Sequence, residues 1–378
     1  MNERRGTMAK GRHLRGASRR SLLQSFGAAA VGITFSSGLS ACGGSGGGGR
    51  TVNVHNWDTY IADDTADNFR QATGITVNYT NFASNDELFA QFRAGNPGYD
   101  VIVPSNEYVT RMAQAQMLQE LDKSLIPNMS NILPEFQDAP FDAGRFYSVP
   151  YTWLCIGIAY RKSKMPANFV PNSWRYLLDS PQFSQRIAVL GESADLIRIA
   201  SQYKQYRPGH VAELTGIPDA VLSQVEQMLI RQKPHIKQFH TDNGQDLLVS
   251  GEVDVVMEYN GDIAQVMRDN DDIAWVLPTE GSMENQDCLC IPANAPHLAE
   301  AHAFINYILE PQPGADIAEY IQFATPNSAA KALMPDNYKN NTVIYPTPEE
   351  MARLRYGAFE GDEVSRRYEE IFTRISAA

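Results

Sequence analysis

The chain has 378 residues, a length that predicts two domains or one large domain with a lobed shape. Hydrophobic residues make up 43% and charged residues 20%, which allows a packed core and excludes an intrinsically disordered chain. The 44 acidic residues outnumber 32 Lys and Arg, and the formal charge of −12 favours a cationic partner over nucleic acid.

The first 41 residues have the composition of an export signal. Arg19 and Arg20 resemble a twin-arginine signal, and the apolar run 22–41 is too polar and glycine-rich for a membrane-spanning helix. The run ends at Cys42 in a sequence that resembles the lipobox of bacterial lipoproteins. We therefore predict a signal peptide over 1–41, lipidation of Cys42 and a Gly/Ser tether over 42–50. A basic tail before an ordinary helix is the alternative, and it leaves the cysteine and the tether unexplained.

Removal of the signal makes the protein more acidic and leaves few cysteines. The segment holds seven Lys or Arg and one Glu, so the rest carries 25 basic and 43 acidic side chains, a formal charge of −18. With Cys42 assigned to lipid, Cys155, Cys288 and Cys290 remain, an odd number that excludes a fully paired disulfide framework. Cys288 and Cys290 are too close in sequence to bridge each other, and all three are predicted to be small core residues.

Beyond the tether, the sequence alternates between strand and helix patterns. The first part predicts strands over 51–54, 75–80 and 99–103, a helix from Asp63 or Asp64 to Gly74, and a helix from Asn85 to Gly95. The second part predicts strands over 187–190, 253–257, 273–277 and 288–291 and helices from Ser193, near 219–231 and over 298–309. This order predicts an α/β fold with parallel strands, in which ligands bind beyond the carboxyl ends of strands, at 56–60 and 104–108.

The sequence signatures of nucleotide binding, metal-dependent hydrolysis and serine α/β-hydrolases are absent. His235 and His240 stand five residues apart after Pro234, which does not place them on one helix face, and both are expected to be solvated at the surface. No catalytic residue, cofactor or metal is therefore predicted.

Acidic and aromatic side chains remain as site candidates. Glu192 and Asp195 share one face of a helix's first turn, either as ligand-binding acids or as ordinary acids stabilised by the helix N-terminus. Asp287 interrupts an apolar strand, and alternation places it on the face opposite Cys288 and Cys290, where a buried acid needs a partner. Four aromatic residues follow strands, where they belong either to the core or to a site built by loops: Trp57, Tyr60, Tyr108 and Tyr259.

These segments resemble the polyamine-binding proteins of spermidine/putrescine ABC importers. The resemblance runs in order from Thr51 to the C-terminus, over essentially the whole exported chain. The matching segments are 56–60, 103–105, 192–195, 260–261, 278–281, 287–295 and 325–330. The resemblance implies two α/β lobes, each a mainly parallel sheet flanked by helices, joined by crossing hinge strands and closing on a diamine or triamine. No reaction is implied.

In that family, aromatic residues cover the methylene chain of the ligand and acids receive its amine nitrogens. Carried to this chain, the predicted ligand-binding residues are Trp57, Asp58, Thr59, Tyr60, Ser105, Glu107, Glu192, Asp195, Tyr259, Asp262, Asn285, Asp287 and Phe323. Charge-assisted hydrogen bonds of about 1.5–3 kcal/mol and cation–π contacts of about 0.5–2 kcal/mol together supply the roughly 8 kcal/mol of micromolar binding.

Four positions depart from the family pattern. Thr59, with Asp58 beside it, stands where members carry an acid, and Glu107 stands where they carry an aromatic or small residue. Asn285 replaces a second aromatic residue, and Gly357 aligns with a glutamine of the spermidine binders. Because Glu107 and Asn285 replace apolar walls with hydrogen-bonding groups, we expect an elongated amine more polar than spermidine.

The family fold divides this chain into a lobe of 51–154 with about 285–327 and a lobe of 155–284 with about 328–378. The expected partners are a polyamine, the permease subunits of an ABC transporter and the membrane through the lipid on Cys42, and the protein is expected to be an exported monomer. Two other functions stay open. Acids and aromatics in a cleft also describe a carboxylate-dependent glycoside hydrolase, and the same pocket would serve ligand sensing.

Overall fold

The computed structural model describes residues 49–241 and 243–378. The predicted export signal, Cys42 and most of the tether lie outside these residues. The strands are β1 (Thr51–Trp57), β2 (Thr76–Phe82), β3 (Val101–Ile102), β4 (Ser148–Arg161), β5 (Ile187–Leu190), β6 (Ile236–His240), β7 (Val255–Tyr259), β8 (Ile273–Val276), β9 (Ser282–Cys290) and β10 (Leu354–Tyr356). The helices are α1 (Thr65–Thr73), α2 (Asn85–Phe92), α3 (Asn106–Gln114), α4 (Arg175–Leu178), α5 (Ser193–Gln205), α6 (Asp219–Gln232), α7 (Gly244–Ser250), α8 (Asn260–Met267), α9 (Leu298–Ile308), α10 (Pro311–Ile321), α11 (Ser328–Leu333), α12 (Asp336–Lys339), α13 (Pro348–Met351) and α14 (Asp362–Ala377).

Within the described residues, ten strands form one sheet in the order β2-β1-β3-β9-β4-β7-β5-β6, with β10 beside β9 and β8 beside β4. β1 is parallel to β2 and β3, and β5 is parallel to β6 and β7. At the centre, β9 and β4 are antiparallel to each other and to β3 and β7. The predicted α/β architecture with a sheet flanked by helices is confirmed, while parallel pairing is confined to the outer strands and β10.

The long strand β4 joins the two parts of the sheet. Its first half pairs with β9 and its second half with β7 and β8. Every residue of β4 except Arg161 is buried, so the strand has no alternation of apolar and polar residues that would predict it from the sequence.

Apolar side chains cover both faces of each part of the sheet. Beside β1, Val52 and Val54 lie in one core, while Cys288 and Cys290 of β9 lie in another on the opposite face. In the other part, Ile187 and Val189 of β5 face one core and the residue between them, Ala188, faces another. The period-two pattern of the strands therefore builds four packed layers that hold the strand ends in place.

Several element predictions are confirmed and others are corrected. The strand over 187–190 and the helix start at Ser193 are confirmed, and Gly74 has the left-handed conformation, φ 74°, expected at a helix C-terminus. β1 runs three residues further than predicted, and β3 contains only two residues. β9 begins six residues before 288. The sequence did not predict this first part because its side chains include polar ones, which are buried and hydrogen-bonded in the fold.

The three cysteines are confirmed as core residues. Cys155, Cys288 and Cys290 are buried and unpaired. The prediction for His240 is wrong: its side chain is buried, and Nε2 lies 3.0 Å from the carbonyl oxygen of Met257. Burial lowers the pKa of His240 to about 4, so the ring is neutral at pH 7 and Nε2 donates to that carbonyl.

The C-terminal segment divides between the two parts of the molecule. Ala330, Met334 and Tyr338 pack in the same core as Val52, whereas Tyr368 and Ile371 of α14 pack in the core of β5. The segment that begins with α11 therefore packs on the core that contains Val52, and α14 packs on the core of β5. In the described part of the chain, no helix combines the length and apolar content needed to cross a membrane.

Candidate functional site

A cavity lies where β1, β3 and β7 end and where α3, α5 and α8 begin, at the strand ends predicted to bind a ligand. The empty space within it and at its mouth amounts to about 1310 Å³, a figure that includes open solvent. All thirteen candidate residues named from the sequence line it: Trp57, Asp58, Thr59, Tyr60, Ser105, Glu107, Glu192, Asp195, Tyr259, Asp262, Asn285, Asp287 and Phe323. The fold thus brings together residues that are up to 266 positions apart in sequence.

The loop after β1 forms one wall of this cavity. Trp57 is the last residue of the strand, and its indole Nε1 donates to the carbonyl oxygen of Val103, 2.9 Å away. The Trp57 ring packs on Phe82 with a centroid distance of 4.5 Å. Thr59 has φ 55°, a left-handed conformation that turns the chain from the exposed Asp58 toward the buried Tyr60.

Asp287 lines the cavity and is buried, with 6% of its surface exposed. Tyr60 donates its hydroxyl proton to Asp287 Oδ2 at 2.7 Å, and Ser105 donates to Oδ1 at 2.6 Å. Since Tyr60 has one proton to donate, the hydroxyl of Thr152, 2.8 Å away, donates to the Tyr60 oxygen. Asn85 in turn accepts the Ser105 backbone N–H and donates to its hydroxyl, both at 3.0 Å. The carboxylate is therefore fixed by neutral hydroxyl groups on both oxygens, and the predicted need for a partner is confirmed.

Burial raises the pKa of Asp287, and the two hydroxyl donors oppose this shift. Burial also raises the pKa of Tyr60 well above its usual value, so Tyr60 remains a protonated donor at every physiological pH. Among residues 49–241 and 243–378, no arginine or lysine forms an ion pair with Asp287, so an ammonium group placed there would be its cationic partner.

A second acidic region lies at the N-terminus of α5. Glu192 occupies the N-cap position and Asp195 the first turn, on one face as predicted. The hydroxyl of Tyr259, the last residue of β7, lies 3.4 Å from Asp195 Oδ2. The pKa of Asp195 is raised to about 8, mainly by burial and next by the negative charge of Glu192. Asp195 is thus mostly protonated at neutral pH.

Glu107 belongs to a buried ion pair. Both of its carboxylate oxygens accept from the guanidinium of Arg198 on α5, and the Nη2–Oε1 distance is 3.2 Å. Arg198 is 1% exposed, while Glu107 keeps part of its surface on the cavity. On β9, Asn285 lines the cavity beside its pairing partner on β4, Leu154.

Phe323 lines the cavity next to Tyr60. Its ring meets that of Tyr60 edge to face, at a centroid distance of 5.3 Å. Gly261, the second residue of α8, lies so close that a Cβ atom there would stand 2.4 Å from the Phe323 ring. The Gly261 position therefore fixes where Phe323 and Tyr60 lie.

We expect Gly261→Ala to lower the free energy of unfolding by about 1–3 kcal/mol, because the methyl group forces the Phe323 ring from its place against Tyr60. Urea denaturation measures the effect. Gly49→Ala, at an open position, is the control and should leave the midpoint unchanged. A Gly261→Ala protein as stable as the parent would show that Phe323 has room to move.

Some residues that line the cavity were not predicted from the sequence. Asp86 and Thr241 follow the ends of β2 and β6, so the strand-end rule that found the other positions applies to them as well. Ser365 and Glu369 lie on α14, far along the chain, and no sequence signal points to them. Within residues 49–241 and 243–378, no three His, Cys, Asp or Glu side chains are arranged to hold a metal ion.

An α/β sheet joined through β4, with a cavity at its strand ends, is the architecture of a solute-binding protein. A profile of the bacterial extracellular solute-binding proteins matches residues 64–346, and the chain belongs to that family. Members of this family bind solutes and are not enzymes, so the hydrolase alternative is set aside.

Named relatives confirm the resemblance found in the sequence. The chain is 32% identical to the putrescine-binding periplasmic protein of Pseudomonas aeruginosa, over 81% of this chain and 86% of that protein. It is 29% identical to the spermidine/putrescine-binding periplasmic protein of Escherichia coli, over 86% of this chain and 92% of the relative. A solved structure described as a putative spermidine/putrescine ABC transporter of Listeria monocytogenes has a TM-score of 0.80 and 29% identity, covering 86% and 98% of the two chains.

Proposed function

We propose that this protein captures a polyamine, a putrescine- or spermidine-like cation, and delivers it to the permease of an ABC importer. The observation that carries the proposal is the buried Asp287 carboxylate, which lines the cavity, is oriented by Tyr60 and Ser105, and has no ion pair with an arginine or lysine in the described part of the chain. A buried carboxylate in this state is stabilised by an ammonium group, which supplies both the charge and the donors that the site lacks.

The remaining cavity suits the rest of such a ligand. Asp195 and Glu192 offer acids away from Asp287, on a different element, so an elongated molecule with cations at both ends is matched better than a compact one. Trp57, Tyr259 and Tyr60 also line the cavity, and aromatic surface of this kind covers methylene groups and attracts cations. The names of the relatives from Pseudomonas aeruginosa and Escherichia coli support the same ligand class.

In this proposal, ligand capture closes two lobes about β4 and β9. The first lobe comprises 51–154, about 285–327 and, from its packing, the segment from α11 to about residue 345. The second comprises 155–284 and the C-terminal helix α14. A ligand that contacts both lobes favours the closed state by its difference in affinity for the closed and open states.

The location proposed for the protein is the outer face of the cell membrane or the periplasmic space. Twin-arginine export and lipidation of Cys42 would tether the binding protein close to its permease, and the Gly/Ser segment would give it reach. The periplasmic location named for the relatives supports export.

Calorimetric titration of the exported chain with putrescine, spermidine, γ-aminobutyrate and a panel of sugars tests the proposal. We expect heat with the amines and none with the sugars. Because γ-aminobutyrate carries a carboxylate at one end, it should bind about tenfold or more weakly than putrescine, since one acidic region then faces a like charge. Sugar binding without amine binding would refute the proposal.

A further inference from the structure

A carboxylate and a guanidinium form an ion pair at the cavity wall, Glu107 with Arg198. Glu107 projects from the first turn of α3 and Arg198 from α5, so the pair joins two helices that both begin at the cavity. Its guanidinium holds both carboxylate oxygens of Glu107. Glu107 thus faces the cavity with its charge already balanced by a protein cation.

Arg198 is fixed in this position from several sides. Its Nη2 also donates to the carbonyl oxygen of Ala358, 2.6 Å away, and its guanidinium lies 5.6 Å from the Tyr368 ring centroid. The group occupies the space over Gly357, where a Cβ atom would stand 3.0 Å from Nη1. A side chain at 357 would compete with the guanidinium for this space.

We propose, building on the proposed function, that Arg198 is a resident cation that withdraws Glu107 from ligand binding and makes the site select a linear diamine over a triamine. A diamine places one ammonium at Asp287 and the other near Asp195, whose oxygens accept from hydroxyl groups. The third ammonium of a triamine would have to leave water beside a carboxylate that is already paired and a guanidinium that repels it. Arg198 acts through Glu107 and is therefore a positioning residue.

Binding of putrescine and spermidine to the parent protein and to Arg198→Met tests the proposal. We expect the parent to bind putrescine about tenfold or more tightly than spermidine, and Arg198→Met to shift this ratio about tenfold toward spermidine, because Glu107 becomes an acceptor for the third ammonium. Arg186→Met removes another arginine with two contacts to one carboxylate, that of Asp254 outside the cavity, and should leave the ratio unchanged.

The outcomes separate the two proposals. If the parent binds both amines equally, or if Arg198→Met leaves the ratio within about threefold of the parent, the selectivity proposal is wrong while amine binding stands. If neither amine binds, both the proposed function and the selectivity proposal are wrong.

A crystal structure of the parent protein with putrescine gives a test that does not depend on the folding of a variant. We expect both guanidinium contacts to Glu107 to persist, with the two ligand nitrogens at Asp287 and Asp195. A ligand nitrogen bonded to the Glu107 carboxylate, with Arg198 displaced, would overturn the proposal.

Discussion

Asp287→Asn is expected to weaken amine binding by about ten- to hundredfold, the loss of a charge-assisted contact worth roughly 1.5–3 kcal/mol. The carboxylate is the proposed acceptor of one ammonium, and the amide that replaces it carries no charge. The amide also has one acceptor oxygen where the carboxylate has two, so it can accept from either Tyr60 or Ser105 but not from both. Titration calorimetry with putrescine measures the loss.

Stability should change little in the same variant. Asp287 is buried and its pKa is raised, so the folded protein already bears a cost for the charge, and the amide removes that cost. The Ser105 hydroxyl can rotate to accept from the new amide nitrogen. Asp219→Asn is the matched control: it removes one negative charge from a side chain that is 83% exposed and should leave affinity unchanged. If thermal unfolding of empty Asp287→Asn collapses while affinity survives, Asp287 is a structural acid.

Amine affinity is expected to rise with pH. Below pH 8 the affinity should increase by up to about tenfold per pH unit, and above pH 8 it should become constant. Asp195 has a pKa of about 8 in the empty protein, raised by burial and by Glu192. An ammonium ligand favours the ionised carboxylate, so binding at pH 7 releases the proton that Asp195 holds. The ligand itself stays cationic in this range because alkylamines lose their protons near pH 10.

The charged and titratable groups around Asp195 set the size of this effect. Glu192 and Glu107 raise its pKa, while Arg198 and the hydroxyl of Tyr259 lower it. In the empty protein the same shift lowers the free energy of unfolding as pH rises from about 4 to about 8, because the unfolded chain releases this proton earlier.

Calorimetry in buffers of different ionisation enthalpy counts the protons released. We expect close to one proton per putrescine at pH 7 in the parent protein. Asp195→Asn has no such proton, so its affinity should be lower at pH 8 and nearly independent of pH from 6 to 8 apart from the contribution of Asp287. Affinity that falls with rising pH in the parent would contradict the assignment of Asp195.

Much of the local structure, and most of the residues of the candidate site, could be predicted from the sequence. The strand over 187–190 and the helix start at Ser193 follow from apolar periodicity. Trp57, Tyr259 and Asp195 stand at strand ends and helix starts, positions that a sequence pattern marks directly. The sequence did not predict β4, because a strand buried on both faces has no alternation of apolar and polar residues. The surface prediction for His240 was wrong because no local sequence feature shows that other elements cover its side chain.

The amino-acid sequence by itself determined the kind of protein: the acidic charge, the strand and helix order and the sets of acids and aromatics are all properties of the chain read in one dimension. Only the tertiary structure decided which of the candidate acids is paired with a cation of the protein. Asp287 faces two hydroxyl groups, whereas Glu107 faces a guanidinium 91 residues away in sequence. The two residues look alike in a sequence because the charge that balances a carboxylate comes from whichever side chain folding places against it, and that pairing depends on distance in space.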